Sequence, residues 1–121
     1  MTFLAGLLAP VLMLFHLSGP VPADLGVSNG ALRDCPTTAH CSSQTWASSD
    51  PMADFSKLSG LVQESPRTVV IDQTETYLHA EASSAFFGFV DDLELFADRD
   101  NNRIQARSES RLGDSDLGVN A

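Results

Sequence analysis

Residues 66–109, PRTVVIDQTETYLHAEASSAFFGFVDDLELFADRDNNRIQARSE, decide the fold. Four runs with a period of two, Thr68 to Asp72, Thr76 to Ser83, Phe86 to Ala97 and Arg103 to Glu109, are separated by the turn-prone Asp-Gln-Thr-Glu, Ser-Ser and Asp-Arg-Asp-Asn-Asn. Connections this short join antiparallel neighbours, so an antiparallel meander of about four strands is expected. Alternation sorts the side chains. Leu78, Ala80 and Ala82, with Ile104 and Ala106, take one face, whereas Tyr77, His79 and Glu81, with Arg103, Gln105, Arg107 and Glu109, take the other. That second face is read as polar and solvated. Aromatics occupy both parities in Phe86 to Ala97, where Gly88 suggests a bulge.

Upstream, Asp50-Pro51 supplies an N-cap and a proline for the first helical position, and Met52, Phe55, Leu58, Leu61 and Val62 recur on one helical face. The helix runs from Pro51 to about Glu64 and stops before Pro66, because the residue preceding a proline is pushed out of the helical region. Residues 24–50, rich in Gly, Ser, Thr, Pro and Asp, read as an irregular lead-in anchored by Trp46. The fold class is therefore α+β: a disulfide-pinned lead-in and one amphipathic helix packed on the meander.

Cys35 and Cys41 are the two cysteines of the chain, six positions apart. In an exported domain a lone pair oxidises, and so short a closed loop stabilises the fold by roughly 2 kcal/mol. A metal site with His40 as a third ligand is the alternative, but C-x2-C spacing and a second Cys or His pair are missing. Export is read from Phe3 to Leu17, FLAGLLAPVLMLFHL, a run without Lys or Arg that is short of a full bilayer span. Residues 1–23 are thus a signal peptide or an N-terminal membrane anchor, and cleavage and retention both stay open. Residues 24–121 form one domain, large enough for one core without oligomerisation, so a monomer is expected.

The chain of 121 residues carries 16 acidic and 7 basic residues, a net charge of −9, and every charge lies downstream of Ala23. This sign disfavours nucleic acid and anionic membrane surfaces. Asp98, Asp100, Asn102 and Glu109 reproduce the oxygen spacing of a calcium loop, but Arg103 stands where that loop needs glycine, so a hairpin tip is expected. Gly113-Asp114-Ser115-Asp116 resembles a hydrolase nucleophile block, yet no histidine follows it. Asp91 and Asp92 point to opposite sheet faces, and one of them needs a buried partner, for which Arg107 or Arg111 offers a two-pronged guanidinium.

Pro22-Ala-Asp-Leu-Gly-Val, Cys35-Pro and Cys41-Ser-Ser-Gln, Pro66-Arg-Thr, Tyr77-Leu-His-Ala-Glu, Phe89-Val-Asp-Asp-Leu-Glu, and the block from Arg107 through Arg111, Ser115 and Asp116 to Asn120 together resemble the uncharacterised family called domain of unknown function 1499. The resemblance implies small bacterial or plastid-lineage proteins, often with an N-terminal apolar segment, and implies no activity. The chain departs from the family in having His40 and Ser42 around the second cysteine. It also has a short link from Thr45 to Ser49, and it lacks an arginine-rich continuation after Asn120.

The reading that follows is an exported or membrane-tethered binding or accessory domain for a small polar ligand or protein partner, without a cofactor or metal. Its expected site is Arg107, Ser108, Ser110, Arg111, Ser115, Asp116 and Asn120 with Asp91, Asp92, His79 and Glu81. The absence of a credible nucleophile and base pair favours binding over catalysis. A hydrolase-like envelope enzyme using the His79/Glu81 face and a purely structural accessory protein remain as alternatives.

Overall fold

The computed structural model describes residues 19–86 and 89–111. It contains β1 (Val27–Ser28), β2 (Ala31–Leu32), β3 (Cys41–Ala47), α1 (Pro51–Glu64), β4 (Thr68–Gln73), β5 (Tyr77–Ser83), β6 (Val90–Asp98) and β7 (Arg103–Ser110). Strands β4 to β7 form the expected antiparallel meander, and β3 joins its far side to give a five-stranded sheet in the order β3-β7-β6-β5-β4. The class is α+β, with the Cys35–Cys41 disulfide formed at a Cα–Cα separation of 5.5 Å.

Helix α1 begins where the capping residues place it. The Asp50 side chain accepts from the Ala53 N–H at 3.2 Å, and Pro51 takes the first turn. It ends at Ser65, whose extended backbone leads into Pro66. Its Phe55 packs with Leu78, Ala80, Leu95, Ala97 and Ile104 in the core, supported by Met52, Leu58, Val62, Val70 and Ala106. The β5 and β7 parities expected from the sequence are the ones observed, and so is the helix face except at Leu61, which is 58% exposed.

Several expectations need correction. The lead-in is not irregular throughout, because it contains β3 and the small β1–β2 hairpin. Asn29 and Gly30 both have positive φ, as a tight two-residue hairpin requires, and Asn-Gly is the usual solution. Trp46 does not anchor the lead-in: it lies on edge strand β3 and remains 44% exposed. The third strand begins at Val90 rather than Phe86, and Phe86 stands 94% exposed outside it. Gly88, expected at a bulge, falls outside the described residues; the sheet instead breaks register between Val70 and Asp72 on β4.

Most consequentially, the second sheet face is not solvated. The lead-in crosses it, with the Gly26 N–H bonded to Glu94 at 2.6 Å and the Leu32 N–H to Gln105 at 3.0 Å. His79, Asp92, Glu94, Arg107 and Glu109 are all buried. The domain has three layers: α1, the sheet, and the lead-in. Because Phe55 fills the interface between the first two, Phe55→Ala is expected to cost about 3–5 kcal/mol in denaturant unfolding, and half-buried Leu58→Ala less. A cost below about 1 kcal/mol for Phe55→Ala would show the helix to be peripheral.

Candidate functional site

Strand register explains why this buried face is ionic. Across β5, β6 and β7, Glu81 stands opposite Asp92 and Asp92 opposite Glu109, so three carboxyl groups share one row. The next row sets His79 opposite Glu94 and Glu94 opposite Arg107. Like charges facing each other across strands repel, so a row of three acids needs cations delivered from elsewhere.

Two arginines supply them. Arg107, 1% exposed, reaches Glu94 at 3.1 Å, Glu109 at 3.3 Å and the carboxylate of Asp24 on the lead-in. Glu94, fully buried, also accepts from the Tyr77 hydroxyl at 2.6 Å and the Gly26 N–H. Arg111, just beyond β7, turns back over the acidic row. Its Nε and one terminal nitrogen donate to the two oxygens of Asp92 at 2.8 and 3.0 Å, and that same nitrogen reaches Glu81 at 2.5 Å. This is the two-pronged arginine–aspartate bond expected from the sequence. His79 donates from Nε2 to Asp92 at 2.6 Å.

The electrostatics follow from burial and pairing. Burial opposes ionisation of Asp24, but hydrogen bonds from Glu109 and Arg107, and the Arg107 charge, hold its pKa below the usual value. Burial and the hydrogen bond to Asp24 push Glu109 the other way, up to about 7. Asp24 and Glu109 thus share a proton, with Glu109 as donor. Bonds to Asp92 raise the pKa of Arg111 against its burial, and Tyr77 is raised by burial and by Glu94.

His79, Glu81 and Asp92 bring one ligand atom each within 4.8 Å of one another, a spacing that could hold a cation. Arg111 bridges Glu81 and Asp92 and supplies positive charge at that point. At the β6–β7 hairpin, Asp98 accepts from the Asn101 N–H and amide and from Arg103 at 2.7 Å. These bonds hold its pKa low despite burial, so Asp98 organises a hairpin tip, as expected.

Of the expected site residues, Arg111, Asp92, His79 and Glu81 meet in one bonded cluster, and Arg107 lies in a second with Asp24, Glu94 and Glu109. Asp91 lies on the opposite side of β6 from Asp92, opposite Ser110, and Ser108 is on β7 opposite Leu93. The Ser110 N–H donates to the His40 carbonyl. Ser115, Asp116 and Asn120 lie outside the described residues. The expected site omits Glu94, Asp24 and also Glu109, which the sequence places only on the same face as Arg107. Glu94 could have been found by continuing the alternation from Asp92, whereas Asp24 reaches the sheet only through tertiary folding.

Beside the network opens a cavity of about 400 Å³, walled by Pro20, Val21, Pro22, Ala23 and Pro36 and lined on its polar side by Asp24, His40, Glu109, Ser110 and Arg111. Among the described residues no helix is long and apolar enough to cross a membrane.

Folded Glu109 keeps its proton to about pH 7, while the unfolded chain releases it near 4.5. Its stabilisation is therefore complete below about pH 4.5 and lost as pH rises to 7. Asp24, with a lowered pKa, contributes stability above 3.8 that is lost at lower pH. Urea unfolding should show stability declining between pH 4.5 and 7 and a flatter profile in Glu109→Gln. An unchanged profile in that variant would contradict the shared proton.

The chain matches the model of the family described as "Protein of unknown function (DUF1499)" over residues 23–121. No curated protein and no solved structure matches it. The chain belongs to the DUF1499 family.

Proposed function

We propose that this family member is an exported or membrane-tethered, non-catalytic domain that binds a small polar ligand in the cavity beside Asp24, Glu109 and Arg111. The observation that carries the reading is the placement of that cavity: it opens where the buried ion network reaches the surface, between an apolar proline-rich wall and a polar wall. Buried ion pairs are poor investments for stability alone, since apolar residues of similar size often do as well. Two clusters that together hold two arginines and five carboxyl groups and border one cavity are therefore read as a rigid support for recognition.

The charges narrow the ligand. Arg107 and Arg111 are spent on carboxylates, while Asp24 stays ionised and Glu109 titrates near 7. The cavity thus favours hydrogen-bond donors, above all a small amine, over anions. The hydrolase reading draws less support, because Glu81 is held by Arg111 and His79 is buried against Asp92. The apolar run at residues 3–17 and the disulfide support export into an oxidising compartment.

Isothermal titration of the full chain with small primary amines, polyols and carboxylates tests the proposal. Amines are expected to bind, with proton release near pH 7 as Glu109 ionises, and with affinity reduced at least tenfold in Glu109→Gln. Binding that survives this substitution, or selective binding of carboxylates, would overturn it.

A further inference from the structure

Helix α1 carries two residues, Ser59 and Gly60, that its own packing does not explain. Ser59 is 3% exposed, and a serine so buried in a helix ordinarily returns its hydroxyl to the carbonyl four residues back, here that of Phe55. Its Oγ makes no such bond and has no hydrogen-bond partner among the described residues. A buried hydroxyl left alone is costly, so its retention calls for a reason. Gly60 follows in the helix interior, where alanine would hold the helix better. A Cβ at Gly60 would meet nothing within 4 Å, so no close approach demands glycine.

Both residues border one cavity of about 400 Å³ between α1 and the turn that follows β4. It shares no lining residue with the cavity beside Asp24 and Glu109. Met52 and Phe55 give it an apolar side. Gln63 on the helix donates from Nε2 to Oε1 of Gln73 on β4 at 3.2 Å, which uses one donor and one acceptor of the two amides and leaves at least one of each. Thr74 Oγ1 accepts from the N–H groups of Thr76 and Tyr77 at 3.3 and 3.0 Å and keeps its own proton to donate.

We infer that this cavity is a second binding site, and that its ligand is a neutral polyhydroxylated ring of monosaccharide size. The buried end of the cavity selects against ions. Ser59 and Phe55 lie there without a charged neighbour in the lining, so an ammonium or a carboxylate seated against them would lose its water and gain no counter-charge. Glu75, the one ionisable residue among those lining the cavity, is exposed, and the lack of a basic residue in the lining further disfavours anions. A sugar hydroxyl both donates and accepts, so a ring bearing several satisfies Ser59 and the remaining amide groups together. Its C–H face covers Met52 and Phe55. Gly60 leaves open the space that a side chain would take from the ring.

The assignment is tested by amide NMR on the full chain in mild detergent, with glucose, N-acetylglucosamine and myo-inositol each added to about 50 mM so that millimolar affinity is seen. At least one is expected to shift the amides of Ser59, Gly60 and Thr74 saturably while those of Asp24 and Glu109 stay in place. Ser59→Ala removes only an unpaired hydroxyl, so its melting temperature should not fall, yet its affinity should drop by about fivefold or more. Gly60→Leu should abolish the shifts with an unchanged circular dichroism spectrum. Glu109→Gln should leave them unaltered, which separates this site from the amine-binding cavity proposed above. Absence of these shifts with all three compounds, wild-type affinity in Ser59→Ala, or loss of the shifts in Glu109→Gln would overturn the inference. So would acetate or methylammonium shifting the same amides in preference to the sugars.

Discussion

The buried guanidinium of Arg107 is the constraint on which the rest of the structure depends. A charge so thoroughly removed from water requires acidic groups at close range, and here they come from three places: Glu94 on the adjacent strand, Glu109 two residues along its own, and Asp24 on the lead-in. The first two follow from strand register. The third does not, and it ties residues more than 80 positions apart, converting a loose N-terminal segment into a third layer. The Gly26 N–H on Glu94 and the Leu32 N–H on Gln105 extend the same seam. The short β1–β2 hairpin, too small to be stable alone, is held by this backing.

A second cluster repeats the logic at the open end. Glu81, Asp92 and Glu109 are forced into one row by antiparallel pairing, and Arg111 returns over the first two to offset their repulsion. Its position immediately after β7 makes that return geometrically cheap. The two clusters lie side by side, with Asp92 and Glu109 facing each other in register, so the sheet carries ionic side chains on one side and the apolar core beneath α1 on the other. The cavity bordered by Asp24, Glu109 and Arg111 is the place where this layer reaches solvent.

Much of this was legible in the sequence. The helix, four strands, most of their core-facing residues and the disulfide follow from local signals: the Asp-Pro cap, alternation, and a lone cysteine pair. The Arg111–Asp92 fork was legible as chemistry, because adjacent aspartates on one strand cannot share a face. What escaped has physical causes. Strand β3 buries little beyond Cys41, so it shows no apolar alternation to detect. The Asn-Gly turn of the β1–β2 hairpin was a readable signal, but its flanking strands have only two residues each. The alternation alone reads the polar face as solvated because polarity ordinarily reports exposure; only the packing of a distant segment reverses that, and no local pattern announces it.

The account therefore stands on the lead-in being fixed over the polar face by Glu94 and Arg107. Native-state hydrogen exchange at the amides of Gly26 and Leu32 tests this most directly. Both should be strongly protected, and Glu94→Gln should accelerate Gly26 at least tenfold while the central amides of β6 and β7 stay protected. Exchange of Gly26 and Leu32 in the wild type at the rate of an unstructured peptide would contradict it.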